Sequence, residues 1–516
     1  MVSMPSVMGH SFSQVPKAEI PRSSFDRTSG IKTTFDSGYL VPIFVDEALP
    51  GDTFNLNMTA FARLATPVHP FMDNVFLNTF FFAVPNRLIW NNWQKFNGEQ
   101  TDPGDSTDFL VPIMTAPVGG YDIGSIYDYF GLPTDVAGYT HSALPLRAYN
   151  LIYNTWFRDQ NLQDSLTVPL DDGPDTAGTY ELKRRGKRHD YFTSALPWPQ
   201  KGPAVDIPLG TSAPIRSLAT VAEDTAVLGS TGSSYIKLGS AGAFLQGSAT
   251  AGDSTKALYV DLTEATAATI NSLRQAFAVQ QLYEKDARGG TRYTEILRAH
   301  FGVVSPDARL QRPEYLGGGQ TSVNLYAVPQ TSNSDTQDTP QGNLAAYGTA
   351  LASGHGFTKS FTEHCTIIGL MAVRADLNYQ QGLNRMWSRR TRWDFYWPNL
   401  ANIGEQAILN KEIYCQGTSA DDEAFGYQER FGEYRYKPSV ITGEMRSSAP
   451  DSLDTWHLAQ DFASLPSLNA AFIEDRPPIE RVIAVPTEPQ FILDGFMKLR
   501  TARPMPMYGV PGMTRL

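Results

Sequence analysis

Two cysteines in 516 residues, Cys365 and Cys415, are too few for a disulfide framework. They read as small hydrophobes kept reduced. Long apolar runs are missing too. The best of them, residues 75–84, is broken by Asn78 and Thr79 and is too short to cross a bilayer. Residues 1–21 alternate small, polar and proline residues without the apolar centre of an export signal, so synthesis and assembly in a cytoplasm are expected. Charge is scarce: 18% of residues carry it and the net value is -11, which argues against a surface coated in basic groups. Catalytic signatures are absent, with no G-x-S-x-G, no phosphate-loop lysine motif, no H-E-x-x-H and no C-x-x-C. The eight histidines include no pair at ligand spacing, and His364 and Cys365, adjacent on a strand, point to opposite faces. The acidic groups Asp171-Asp172 and Asp421-Asp422-Glu423 fall in polar loops, and the run Gly317-Gly318-Gly319 reads as a turn. No enzymatic activity, cofactor, metal or membrane insertion is expected.

What the chain does have is 42 glycines, 35 prolines and 11% aromatics, a profile of short strands joined by many turns. In residues 53–64 apolar Phe54, Leu56, Met58, Ala60, Ala62 and Leu64 alternate with Asn55, Asn57, Thr59, Phe61 and Arg63, predicting a strand with one buried face. Residues 75–84 are nearly continuously apolar, as in a strand covered on both faces. Further strands are expected at 365–373, 481–485 and 490–499. Strands near both ends must meet across the chain, which favours a Greek-key or jelly-roll sandwich. Helices are expected in the inserted segments 146–160, 261–286 and 291–301, the last closed by Gly302. Residues 203–260, rich in Gly, Ala, Ser and Thr, read as a surface insertion with a short strand at 234–238, and residues 321–352 as a second polar, turn-rich stretch.

Positive charge gathers at the ends. Lys17, Arg22, Arg27 and Lys32 lie in residues 1–38, expected to be an extended arm facing inward, and Lys498, Arg500, Arg503 and Arg515 lie near the C-terminus. Two solvated termini and two ends facing a polyphosphate both fit this charge, and under the second reading these eight are the candidate DNA contacts. The densest basic run, Lys183-Arg184-Arg185-Gly186-Lys187-Arg188-His189, and the segment RMWSRRTRWDFYW at 385–397 suit either single-strand contact or packing within and between subunits.

Long strings resemble the major capsid proteins of the gokushoviruses, a branch of the Microviridae: AFAVQQLYEKDARGGTRYTEILRAHFGVVSPDARLQRPEYLGG at 276–318, TTFDSGYLVPIFVDEALPGDTF at 33–54, LPLRAYNLIYNTWFRDQNLQDSL at 144–166, KRRGKRHDYFTSALPWPQKGP at 183–203 and GEYRYKPS at 432–439. The resemblance implies a mainly β, eight-stranded antiparallel jelly roll at 39–516 whose long loop insertions contain short helices. It implies a small T=1 icosahedral virion shell around a circular single-stranded DNA genome. It places a host-attachment protrusion at the threefold axes most naturally on 203–260, with Arg216, Tyr235, Lys237 and Phe244 as its candidate residues. The expected partners are copies of the chain, the DNA, a small basic DNA-binding protein, a scaffolding protein and a bacterial surface receptor. A secreted carbohydrate-binding sandwich and a monomeric single-strand DNA-binding protein are the rivals. The first needs an export signal and the second a more basic chain.

Overall fold

The computed structural model describes residues 21–203, 205, 215–217, 258–260, 270–307, 309–332 and 341–508. The chain divides into two compact units, residues 1–199 with 291–516, and residues 200–290.

The first unit is built on nine strands in one curled antiparallel sheet. They are β1 (Ser23–Asp26), β2 (Ser29–Phe35), β3 (Val41–Ala48), β4 (Thr53–Leu64), β5 (Val75–Pro85), β6 (Glu314–Pro329), β7 (Leu344–Ser360), β8 (Cys365–Ala375) and β9 (Phe491–Arg503). β1 and β2 share one edge of β9, leaving eight strand positions in the order β1/β2-β9-β4-β7-β6-β5-β8-β3. β6 makes the fold turn over: residues 314–323 pair with β5, whereas 324–329 pair with β7. One sheet thus curls into two facing layers, the jelly roll expected from the sequence.

The alternation in β4 puts Phe54, Leu56, Met58 and Leu64 into the core between the layers, where they join Leu77, Phe81, Ile367, Met371, Leu493 and Met497. The opposite faces of β5 and β8 carry Phe82, Val84, Ile368 and Leu370 into a second core under helix α1 (Leu144–Ile152) with Trp90, Tyr149 and Ile152. Covered on both sides, β8 is buried along its whole length, which explains its continuous apolar run. Arg147 of α1, wholly buried, donates to Asp175 at 2.6 and 2.9 Å and to the carbonyls of Ile89 and Asp171, so the charge enters the core with its partners.

Several expectations are corrected. The glycine run 317–319 lies inside β6, not in a turn. Most of 321–352 is the long β6–β7 hairpin. Residues 481–485 form no strand: Arg481 ends the 3-10 turn Ile479–Arg481, and Val482 and Ile483 fill the core, with a single antiparallel bridge from Ile483 to Pro67. The helix from 144 gives way to a π turn at Tyr153–Phe157. Within the inward arm expected at 1–38, residues 23–35 are extended but are hydrogen-bonded into the sheet along β9.

In the second unit α2 spans Ile270–Gly289, and residues 215–217 pair with 258–260. The Lys201 N–H donates to the Tyr283 carbonyl and Gln280 donates to Gln200, tying α2 to the start of the unit. This unit is therefore longer than the insertion expected at 203–260. Tyr235, Lys237, Phe244 and the strand expected at 234–238 lie outside the described residues, and Arg216 pairs through its backbone with Tyr259. Helix α3 (Tyr293–Phe301) belongs to the first unit and ends on left-handed Gly302, as its sequence predicts.

Candidate nucleic-acid interface

The layer formed by β1/β2, β9, β4 and β7 buries one face in the core. Its other face is exposed, because period two sends every second residue of β4 and β9 outward. The pairing sets Asn55 opposite Arg500, Asn57 opposite Lys498, Thr59 opposite Phe496, Phe61 opposite Asp494 and Arg63 opposite Ile492. Leu351 of β7 stands opposite Phe61 on the next strand. Phe61 is 47% exposed, Phe496 53% and Leu351 65%. Phe61 and Phe496 are diagonal neighbours on adjoining strands, a spacing of about 7–8 Å that places two aromatic faces within one patch. Around them stand Arg63, Lys498, Arg500 and the Lys32–Asp494 pair, whose separation is 2.9 Å.

The eight candidate DNA contacts divide under this geometry. Lys17 and Arg515 lie outside the described residues. Arg27 forks onto Asp46 at 2.6 and 2.8 Å, and Arg503 holds buried Asp52 at 3.0 Å and the Glu47 carbonyl at 2.6 Å. Arg22 donates to the Thr53 hydroxyl. These three fasten the ends of the sheet, and the forks of Arg27 and Arg503 are already filled. Lys498 and Arg500 reach no carboxylate at ion-pair distance among the described residues, though Asp26, held acidic mainly by the Thr28 hydroxyl and amide, feels both charges. On this face Lys32, Arg63, Lys498 and Arg500 meet two carboxylates, Asp26 and Asp494, so positive charge is in excess.

The sequence reading missed Arg63, Phe61 and Phe496 as site residues. Their signal was present in the polar half of the β4 alternation, but which face stays open depends on what the insertions cover.

The basic run at 183–189 is mostly structural. Arg185 donates its N–H to the Gly38 carbonyl and Lys187 to that of Ile473, while Arg184 lies over Tyr39 at 3.9 Å and Lys187 over Phe472 at 4.4 Å. Burial pushes the Lys187 ammonium down to about 8 and the Asp475 carboxyl beside it up to about 6.

The segment 385–397 is different. Trp387 is 72% exposed and Trp393 59%, with Phe395, Tyr396 and Trp397 also exposed. Three of its four arginines are engaged: Arg385 with Glu412 at 2.8 Å, Arg389 with Glu433 at 3.3 Å, and Arg392 over Trp397 at 4.6 Å. Exposed aromatic surface interleaved with arginines is the composition of a protein–protein contact.

Among the described residues no cluster of His, Cys, Asp or Glu could hold a metal, and no helix is long and apolar enough to cross a membrane. Cys365 is buried and Cys415 exposed, both as free thiols.

Residues 13–513 match the family described as Capsid protein (F protein). The chain is 53% identical to Capsid protein VP1 of Bdellovibrio phage phiMH2K, over 97% of each chain. It is 47% identical to Capsid protein VP1 of Chlamydia phage 1, over 99% of each, and 38% identical to that of Spiroplasma virus 4, over 98% of each. A full-length family match and relatives at 38–53% identity place the chain in the capsid protein (F protein) family of the Microviridae, as the major capsid protein of a single-stranded-DNA phage.

Proposed function

We propose that the open face of β9 and β4 is the surface by which each subunit holds the enclosed genome. The carrying observation is the pairing of Asn57 with Lys498 and of Asn55 with Arg500 beside exposed Phe61 and Phe496. Single-stranded nucleic acid offers phosphates to the cations and unpaired bases to the rings and amides, so one face serves both halves of the ligand. Each aromatic stack onto a base contributes about 1–3 kcal/mol without sequence preference, which suits a shell that must accept any stretch of a genome. Of the expected DNA contacts this face keeps Lys498 and Arg500, adds Arg63 and leaves out the ion-paired Arg27 and Arg503.

The exposed aromatic strip at 386–397 is the surface on which copies of the chain meet, and residues 200–290 supply host attachment, with a bacterial surface receptor as the partner. A scaffolding protein and a small basic DNA-binding protein are further partners under this reading.

The test is the triple variant Arg63→Gln, Lys498→Gln, Arg500→Gln. Shells are expected to form at normal yield with less DNA per particle, read from the ratio of absorbance at nucleic-acid and protein wavelengths after sedimentation. Unchanged DNA content at normal yield would remove this face from genome contact.

A further inference from the structure

The first unit contains a cavity of about 390 Å³ whose wall is made by the end of the π turn and the residues leading into α3. Three arginines line it, Arg158, Arg292 and Arg312, together with the hydroxyl residues Thr155, Thr291 and Thr294. No Asp or Glu is among the described lining residues.

The arginines are held there by contacts that leave part of their charge unanswered. Arg312 is fixed by Asp307 at 2.7 Å, by the Thr294 hydroxyl at 3.2 Å and by stacking on Trp156 at 4.6 Å. Arg292 bridges Glu295 at 3.0 Å and the Arg158 carbonyl at 2.5 Å. Arg158 has no carboxylate at ion-pair distance among the described residues; its guanidinium donates to the Gln163 carbonyl at 2.8 Å. The Nε–H groups of Arg158 and Arg292 are both buried without an acceptor. Burial and the neighbouring Arg292 charge both weaken the hold of Arg158 on its proton, so the two guanidiniums are close enough to repel. A fold that needed these side chains only for packing could place neutral groups here. Two adjacent cations and three threonine hydroxyls on one cavity wall form a set of donors suited to an anion.

We infer that the cavity lined by Arg158, Arg292 and Arg312 binds a phosphate group. Planar guanidinium forks match phosphate oxygens in pairs, and threonine hydroxyls supply the remaining donors. The volume admits a phosphate with a sugar attached, so the group can belong to a DNA backbone or be free inorganic phosphate. This site is separate from the open sheet face and does not depend on that face touching the genome.

Equilibrium dialysis of radiolabelled inorganic phosphate against the purified full chain, at fixed ionic strength with sodium chloride, tests the inference. Saturable binding is expected, weakened roughly tenfold or more in Arg158→Gln and less in Arg158→Lys, which keeps the charge but loses the fork. A thymidylate oligonucleotide that displaces the label identifies the DNA backbone as the source, whereas failure to displace it identifies free phosphate. Should Arg158→Gln fail to fold, protection of wild-type Arg158 and Arg292 from arginine-modifying reagents by phosphate, but not by chloride, gives the same answer. No saturable phosphate binding, or Arg158-dependent binding of an acidic peptide in its place, would overturn the assignment.

Discussion

His355 sits buried where the two layers meet, with Nδ1 2.9 Å from the Thr79 hydroxyl and Nε2 3.1 Å from that of Thr321. No carboxylate among the described residues supports a charge on the ring, and burial holds its pKa below the ordinary histidine value. The sign of the pH effect follows. Below about 6.5 the unfolded chain binds the proton that the folded chain refuses, so this stabilisation is complete above that pH and lost as pH falls. Asp475 has the opposite sign. Its carboxyl is raised to about 6 by burial, so its contribution is greatest in acid and lost as pH rises through that value. Urea unfolding of His355→Gln between neutral and mildly acidic pH separates the two: the variant should lose less stability on acidification than the parent. Parallel curves would mean that His355 is not the acid-sensitive group.

Strand β6 shows why a run of three glycines stands in the middle of a sheet. A Cβ on Gly318 would lie 2.0 Å from the Thr79 carbonyl oxygen, and one on Gly319 would lie 2.4 Å from the His355 ring. Backbone cannot yield as a side-chain tip can, so Gly318→Ala should cost about 3 kcal/mol or more. Gly178→Ala, whose added Cβ meets nothing within 4 Å, is the control and should be near neutral. Urea midpoints of the two variants measure the difference, and equal midpoints would show that β6 can move away from β5. This run was misread in the sequence as a turn because glycine composition does not tell a bend from a close approach of two strands. By contrast β4 and β5 were legible almost to the residue, since alternation and continuous apolarity report one covered face or two. The basic run at 183–189 was visible as a cluster but not as a buried one. Asp475, whose backbone carbonyl accepts from Arg184, lies 291 positions beyond it, and only the folded chain brings them together. The open face was half legible: the residues were in view, but the absence of a covering layer was not.

At the scale of the molecule, the second unit offers a clean excision. Ser217 pairs with Leu258, so a short turn can replace residues 218–257 without disturbing the ladder at its base. Particles carrying that replacement should assemble and package DNA but fail to attach to host cells, as read by particle yield and adsorption counts. Loss of particles would show that the segment is part of the wall. A different consequence follows from β2 and β4 flanking β9, where Lys32 pairs with Asp494 across 462 positions of sequence. At about 5–20 residues per second, a ribosome takes roughly half a minute to a minute and a half to make that interval. Until β9 emerges, β4 waits with an unpaired edge and the inner core is open on one side. A chain cut short by a stalled ribosome or a nonsense codon cannot close its barrel, and offers chaperones and proteases an exposed apolar flank in place of a finished wall. Because the last described strand completes this layer, a subunit truncated before Arg503 is expected to be missing from purified shells.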